Sequence, residues 1–286
     1  MTVPRFFIPA KAIDRQHARV TYDDGALVKQ ITKVLRLQPG AAIDFLDGTG
    51  SLYHCQLVGS EKQTVTASIQ STVEPSGAVG ARVNLALAPL KSGRFEWALE
   101  KLTELGVAQV IPILVERSVV KPNQHESRLR EKKDQLHLSL PSENSLSANA
   151  PEELSGKMTR WQSIVKEAAE QCERTVLPQL VPPMSFADFL RAEQNTRPNS
   201  VRFICAERST GHSFAESLCN HLQARSERVE DITIAVGAEG GFAEHELAAA
   251  NAAGFVSVSL GKLILRAETA AIYALAIVAS QRIDEP

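Results

Sequence analysis

Residues 231–280 constrain this chain more than any other stretch. They open DITIAVGAEGGF, in which Ile232, Ile234 and Val236 alternate with smaller or polar residues up to Gly237. An alternating β-branched run that stops on glycine predicts a strand. Gly237, Gly240 and Gly241 then surround one acid, Glu239, and a helix-like run begins a few residues later. Glycines packed this closely let a backbone turn sharply and approach a ligand with no Cβ in the way. Residues 255–260 predict a second strand, interrupted by Gly261. Residues 267–279 predict a helix that is apolar on nearly every side and therefore buried all round. Two strands that each lead through a glycine loop to a helix predict a ligand site at the carboxyl edge of a parallel sheet.

The chain upstream has the same character. Residues 83–88 predict a buried strand, and residues 92–105 a helix with Phe95, Ala98, Leu99, Leu102 and Leu105 on one face and Gly106 as its stop. Residues 110–115 predict the next strand, with Glu116-Arg117-Ser118 at its carboxyl end, where sites of α/β sheets open. Trp161, Ile164, Val165, Ala168 and Cys172 form the stripe of a further helix, and residues 201–206 and 213–222 another strand and helix. Strands alternating with helices give an α/β domain with a mainly parallel sheet. Residues 1–75 read differently, as a small β-rich domain with strands at 5–8, 42–46, 52–58 and 65–69 and a hairpin turn at Asp47-Gly48-Thr49-Gly50. The polar, turn-forming run Glu74-Pro75-Ser76-Gly77 separates it from a second domain at 80–286, within which residues 121–157 read as a polar insertion.

Several function classes are disfavoured. No apolar run reaches about 18 residues, so a membrane-spanning helix is not expected. MTVPRFFIPA lacks a basic segment followed by an apolar one, so no secretory leader is expected. Cys55, Cys172, Cys205 and Cys219 are far apart, and His125 and His137 lack partners at ligand spacing, so neither a metal site nor a disulfide framework is expected. A reducing cytoplasm is the default compartment. The net charge of −2 does not suit a protein that coats nucleic acid by charge alone. Within residues 1–40, however, Arg5, Lys11, Arg15, Arg19, Lys29, Lys33 and Arg36 face only Asp14, Asp23 and Asp24. That local excess suits phosphate contacts.

The pair GAEGGF and LGKLILRAETA, about twenty residues apart near the C-terminus, resembles the SPOUT class of methyltransferases. Within that class the chain most resembles the bacterial ribosomal RNA small subunit methyltransferase E family. RFFIP, KVLRL and GAAIDFLDGTGSLY resemble the PUA-like RNA-binding β-barrel at the front of that family, although Gln30 stands where members often carry histidine. The resemblance implies a C-terminal trefoil knot holding a bent S-adenosylmethionine through backbone groups. By match, Gly237, Glu239, Gly240 and Gly241 form one wall of that site. Leu260, Gly261, Ile264, Leu265 and Arg266 form the other, and Ala206 and Glu207 close it. Ala238 replaces the proline usual in the glycine motif.

Further roles follow from the same resemblance. The stretch K-x-x-R-x-E-x-x-x-x-K-x-x-E-L-G-V matches the family helix and makes Lys91, Arg94 and Lys101 candidates for facing RNA, along with Arg5, Lys33, Arg36, Arg117 and Arg174. Glu167 and Gln171 would lie near the active site with Arg174. Arg266 is the candidate for stabilising negative charge, with a structural salt bridge to Glu268 as its alternative. Glu239 or Glu268 would serve as base, or cap a helix, and Thr269 would cap the final helix. The implied reaction is methylation of N3 of a uridine in 16S ribosomal RNA or the small subunit. Two alternatives are action on another RNA such as tRNA, and a non-catalytic RNA-binding assembly module. Ala270, Ala271, Ala274 and Ala279 would let the final helix approach a second copy closely, giving a twofold homodimer through the second domain.

Overall fold

In the computed structural model, the described residues are 3–61, 63–75, 80–91, 93–118, 152–194, 199–206, 213–224 and 228–281. They fall into two compact units, one of residues 1–79 with 165–177, the other of residues 80–164 with 178–286.

The first unit is built on six strands, β1 (Arg5–Phe7), β2 (Ile13–Asp14), β3 (Arg19–Asp23), β4 (Ala42–Leu46), β5 (Leu52–Glu61) and β6 (Thr64–Val73). Their order across the sheet is β1-β4-β5-β6-β3-β2, antiparallel except where β1 lies parallel to β4. Alternate side chains of these strands, among them Phe6, Val20, Ile43, Phe45, Val65 and Ala67, fill one core. Helix α1 (Gly25–Lys29) starts at Asp24, whose carboxylate accepts from the backbone N–H of Ala26 and Leu27 at 2.8 and 3.1 Å. It runs into a π-turn at Gln30–Val34 and sends Leu27, Val28 and Ile31 into the core. Neither β3 nor α1 is expected from the sequence pattern, because each is five residues long and has too few turns or alternations to show a period.

The second unit contains β7 (Arg82–Leu87), α2 (Arg94–Glu104), β8 (Gln109–Leu114), α3 (Glu152–Gln171), β9 (Gln179–Leu180), β10 (Met184–Ser185) and α4 (Phe186–Gln194). It continues with β11 (Ser200–Cys205), α5 (Phe214–Gln223), β12 (Asp231–Val236), α6 (Glu244–Ala252), β13 (Val256–Val258) and α7 (Ala267–Ser280). The sheet order is β10-β8-β7-β12-β11-β13, with β9 beside β8, and every pairing is parallel. All six residues of β12 are buried, as a central parallel strand covered on both faces requires.

Two expectations need correction. The polar stretch read as an insertion over 121–157 is helical from Glu152, since a helix need show an apolar stripe only where it packs, here from Trp161 onward. The remainder of that stretch, 121–151, lies outside the described residues. The back of the helix belongs to the first unit, where Ala169 and Leu177 pack with Phe7, Leu46 and Leu52, and Glu170 accepts from the Phe7 N–H at 2.9 Å. Helix α4 follows Pro183 and is begun by the Ser185 hydroxyl accepting from the Asp188 N–H at 3.1 Å. The final helix is buried on one face only, through Ala267, Ala271, Ala274, Leu275 and Val278, whereas Tyr273 on the opposite face is 46% exposed.

A buried polar cluster ties α4 to the sheet. Glu193 accepts from the Thr233 hydroxyl at 3.0 Å and faces Nε of Arg202 at 3.6 Å. Burial pushes the Glu193 carboxyl above its usual range, against the pull of Thr233 and Arg202. Removing one partner of such a buried pair costs about 3 kcal/mol. Glu193→Ala should therefore lower stability by roughly that amount in equilibrium urea unfolding. The folded state holds the Glu193 proton more tightly than the unfolded chain does. Its contribution is thus greatest below the unfolded pKa and is lost as pH rises through the folded value. Comparing wild type with Glu193→Gln should show the difference shifting in favour of wild type as pH is lowered.

Candidate active site

Parallel pairing brings the site loops to one edge. Leu87 sits beside Val236, Ala235 beside Ile204, and Cys205 beside Val258, while Leu87 also pairs with Pro112 of β8. The strands run the same way, so the loops that leave β7, β8, β11, β12 and β13 all emerge together. From this edge β7 leads to β8 on one side and β12 leads to β13 on the other, which parts the loops and opens a crevice.

The crevice is a cleft of about 540 Å³, counting its space open to solvent. Ala206 follows β11, and Gly237, Glu239 and Gly241 follow β12 along its wall. Leu260, Gly261, Ile264 and Leu265 follow β13 on the facing side, with Ala267 and Ala270 of α7 beyond them. Arg266 lies between two of these lining residues and is exposed. Gly240 and Thr269 lie outside the wall, and Glu207 lies outside the described residues.

The glycines have separate physical reasons. The 238–241 turn is closed by the Gly241 N–H donating to the Ala238 carbonyl at 2.9 Å, so it forms without a proline. A Cβ on Gly237 would come within 3.0 Å of the Gly241 carbonyl carbon and 3.2 Å of the Phe242 ring. On Gly240 it would meet Cβ of Arg117 at 3.2 Å. A side chain at either position would crowd the loop against itself or against Arg117. Gly261 has a φ of 127°, which side chains of L-residues rarely adopt, and no atom lies within 4 Å of its Cβ direction. Its open side is free for a ligand.

Two arginines from different elements hold the glycine loop. Arg94, at the start of α2, pairs with Glu239 at 3.4 Å, and Nη1 of Arg117, just after β8, donates to the Gly240 carbonyl at 2.9 Å. Lys91, exposed just after β7, is at the same sheet edge. Lys101 is not brought there, since it is engaged by Glu100 at 2.7 Å and Glu104 at 2.8 Å farther along α2. Cys205 borders the cleft, but burial pushes its thiol up to about 12, so it stays protonated and is no nucleophile.

Arg266 occupies the N-cap position of α7, where its carbonyl accepts from the Ala270 N–H at 2.8 Å, while its guanidinium forms no hydrogen bond or ion pair among the described residues. The alternative of a structural bridge to Glu268 is therefore absent. Glu268 is 5% exposed, lies outside the cleft wall, and has one carboxyl oxygen buried with no hydrogen-bond partner. Thr269 does not cap the helix, because it points to solvent as the third helical residue. In the first unit Arg5 is engaged by Asp44 at 3.3 Å and Glu173 at 3.0 Å. Lys33 and Arg36 are exposed, and Arg174 closes the end of α3 by donating its N–H to Ala169 at 3.0 Å. Glu167, Gln171 and Arg174 all belong to this first unit.

One residue that sequence reasoning passed over is Glu246, 6% exposed in the first turn of α6. One of its oxygens accepts from the Glu116 N–H at 2.9 Å, the other from the Ala243 N–H at 2.8 Å. It thus joins the loop after β8, which carries Arg117, to the loop after β12. The available signal was an acid three residues beyond a helix start. Ala243 obscured it, since alanine has no side-chain acceptor and only half of a capping box can form. Glu246→Gln places an NH2 group against one of two buried N–H donors and should cost about 1–3 kcal/mol. Thermal unfolding should show that loss, with exposed Glu244→Gln near wild type as the control.

Comparison with known proteins agrees with this architecture. The RNA methyltransferase domain family matches residues 79–140 and 134–279, and the RNA methyltransferase PUA domain matches residues 24–70. The ribosomal RNA small subunit methyltransferase E of Synechocystis is 34% identical over 251 residues, which is 88% of this chain and 70% of the relative. Its Bacillus subtilis counterpart is 27% identical over 277 residues, covering 97% and 96%. Among solved structures, the Neisseria gonorrhoeae ribosomal RNA small subunit methyltransferase E bound to S-adenosyl methionine superposes with a TM-score of 0.72. The two share 25% identity over 98% of both chains. With a parallel sheet whose glycine loops meet at one edge, and matches that run through both units, the chain belongs to the ribosomal RNA small subunit methyltransferase E family of RNA methyltransferases.

Proposed function

We propose that the protein methylates N3 of a uridine in 16S ribosomal RNA, with S-adenosylmethionine as donor, in the cytoplasm. The observation that carries this reading is the cleft itself, walled by glycine loops and aliphatic residues, with one unengaged arginine beside it. The residues present fit such a donor, since Gly261 leaves its open side to the cleft and Leu263 and Ile264 are 79% and 67% exposed, ready to cover an apolar ring. Support also comes from the donor bound in the Neisseria relative and from the ribosomal names of the relatives.

S-adenosylmethionine would supply an electrophilic sulfonium methyl. Backbone groups of Ala206, Gly237, Gly241, Leu260 and Leu265 would hold it. Uridine N3 carries a proton at neutral pH, so the chain must accept that proton and stabilise charge spread over O2 and O4. Arg266 has donors for two oxygens at once and stands at the positive end of α7. Glu239 is the better-placed proton acceptor, because it lines the cleft and Glu268 does not. Lys91, Arg94 and Arg117 would face RNA phosphates at the same edge. On this reading residues 1–75 are the RNA-binding front and residues 80–286 the catalytic part, with the trefoil knot implied by the resemblance.

A twofold homodimer belongs to the same proposal. Trp97 on α2 is 48% exposed and Tyr273 on α7 is 46% exposed, and these helices pack together within the chain. A second copy would cover both. Light scattering at micromolar concentration should give twice the chain mass.

Methyl incorporation into whole small subunits, naked 16S RNA and tRNA tests the substrate, and product mapping tests the N3 position. Labelling confined to tRNA would replace the ribosomal reading. Arg266→Ala should fold and bind S-adenosylmethionine yet lose about 100- to 1000-fold in rate, the usual effect of deleting one preorganised charge stabiliser. Near wild-type turnover in that variant would remove Arg266 from the mechanism. Gly261→Val should fail in calorimetric titration with S-adenosylmethionine, since valine cannot adopt that φ without strain.

A further inference from the structure

The segment from Gly25 to Ile43 contains Lys29, Lys33 and Arg36 and no acidic residue. Its start is anchored, because Leu27 and Val28 are buried and Ile31 is completely so. The chain then leaves ordinary helical geometry. A π-turn spans Gln30–Val34, closed by the Leu35 N–H donating to the Gln30 carbonyl at 2.9 Å. Such turns are rare and gather at functional positions. Arg36 follows with a φ of 53°, a left-handed conformation unusual for a non-glycine residue, fixed by the Leu37 N–H donating to Ile31 at 3.0 Å. Between the anchor and this turn, Val34 and Leu35 are 73% and 40% exposed.

Single exposed aliphatic residues are common on protein surfaces. Here two adjacent ones sit on a fixed, strained backbone with an exposed cation on either side, Lys33 and Arg36. Phosphate contacts need only the cations, and they position a nucleic acid without reading it. Aliphatic side chains add a contact to a base face. The major groove of an RNA helix is too deep and narrow for them, whereas bases in loops and bulges are open. Aliphatic wedges are known to pack against parted base steps in nucleic acids. We propose that Val34 and Leu35 form a wedge against an unstacked base of the substrate RNA, with Lys33 and Arg36 holding the phosphates on either side. This rests on the reading of the chain as an RNA methyltransferase.

The full-length chain, titrated with naked 16S RNA across a series of salt concentrations, tests the wedge. The double variant Val34→Ser/Leu35→Ser should bind about tenfold more weakly at every salt concentration, in the range of a lost base contact. Its slope of log affinity against log salt should match wild type, because no counterion-releasing charge has changed. Lys33→Gln/Arg36→Gln should instead flatten that slope. Wild-type affinity in the serine variant would overturn the wedge and leave the methyltransferase reading intact. So would unfolding of that variant, which would make the two side chains structural. Weakened binding to assembled small subunits with unchanged binding to naked RNA would also overturn it, by assigning the tip to a ribosomal protein. A wild-type chain that neither binds S-adenosylmethionine nor methylates RNA would overturn the underlying reading instead.

Discussion

Strand β12 is the constraint on which the second unit depends. It pairs in parallel with β7 along six residues and with β11 along five, and all six of its residues are buried. A central strand in this position fixes the direction of its neighbours and hence where every loop emerges. The cleft walls come from parts of the chain far apart in sequence, at 206, 237–241 and 260–265. They meet only because these strands end at one edge. A slip of one residue in β12 would turn its apolar side chains to the opposite faces and displace the loop that begins at Gly237.

Above that edge, the loops are held by polar ties rather than by packing alone. Glu246 joins the loop after β8 to the loop after β12, and Arg117 returns from the first loop to the Gly240 carbonyl of the second. Each tie uses a charged group on a backbone partner, the stronger class of hydrogen bond. The crossing also makes Gly240 a tight position, since the stem of Arg117 lies 3.2 Å from where a Cβ would point. A glycine loop that would be mobile by itself is thereby given one shape before any ligand arrives, which lowers the entropy to be lost on binding.

Much of this was legible in the sequence, for identifiable reasons. The strands at 82–87, 109–114, 200–205 and 231–236 are runs of buried β-branched or aliphatic residues, and α2 shows a clean stripe from Phe95 to Leu102. The glycine loops could be placed because they interrupt those runs. What periodicity could not supply was partnership. It shows that residues 161–172 form one helix face but not that residues 165–177 pack in the first unit. It shows an apolar final helix but not that one side of it stays open in a single chain. For the charged residues, the three-residue spacing of Lys101 and Glu104 marks an ordinary helical ion pair, which forms, whereas position in sequence gave no sign that the Arg266 side chain is unengaged. Glu246 stayed hidden because its value lies in two backbone donors, one of them 130 residues away.

The distribution of engaged and unengaged cations bears on how a chain with net charge −2 can act on a polyanion. Arg5, Arg94 and Lys101 are each offset by at least one carboxylate within 3.4 Å, so their long-range pull on RNA is reduced. Lys33 and Arg36 are exposed on a segment with no acid, and Arg266 is exposed at a helix N-terminus. Beyond about 8–10 Å at physiological salt, screening removes most of the effect of the overall charge, and a phosphate responds to its immediate surroundings. Modest negative net charge therefore limits indiscriminate association with nucleic acid, while a few unpaired cations keep their attraction at close range. Selectivity then falls to contacts made after the backbone is in place, which is where shaped features such as the 33–36 turn and the cleft act.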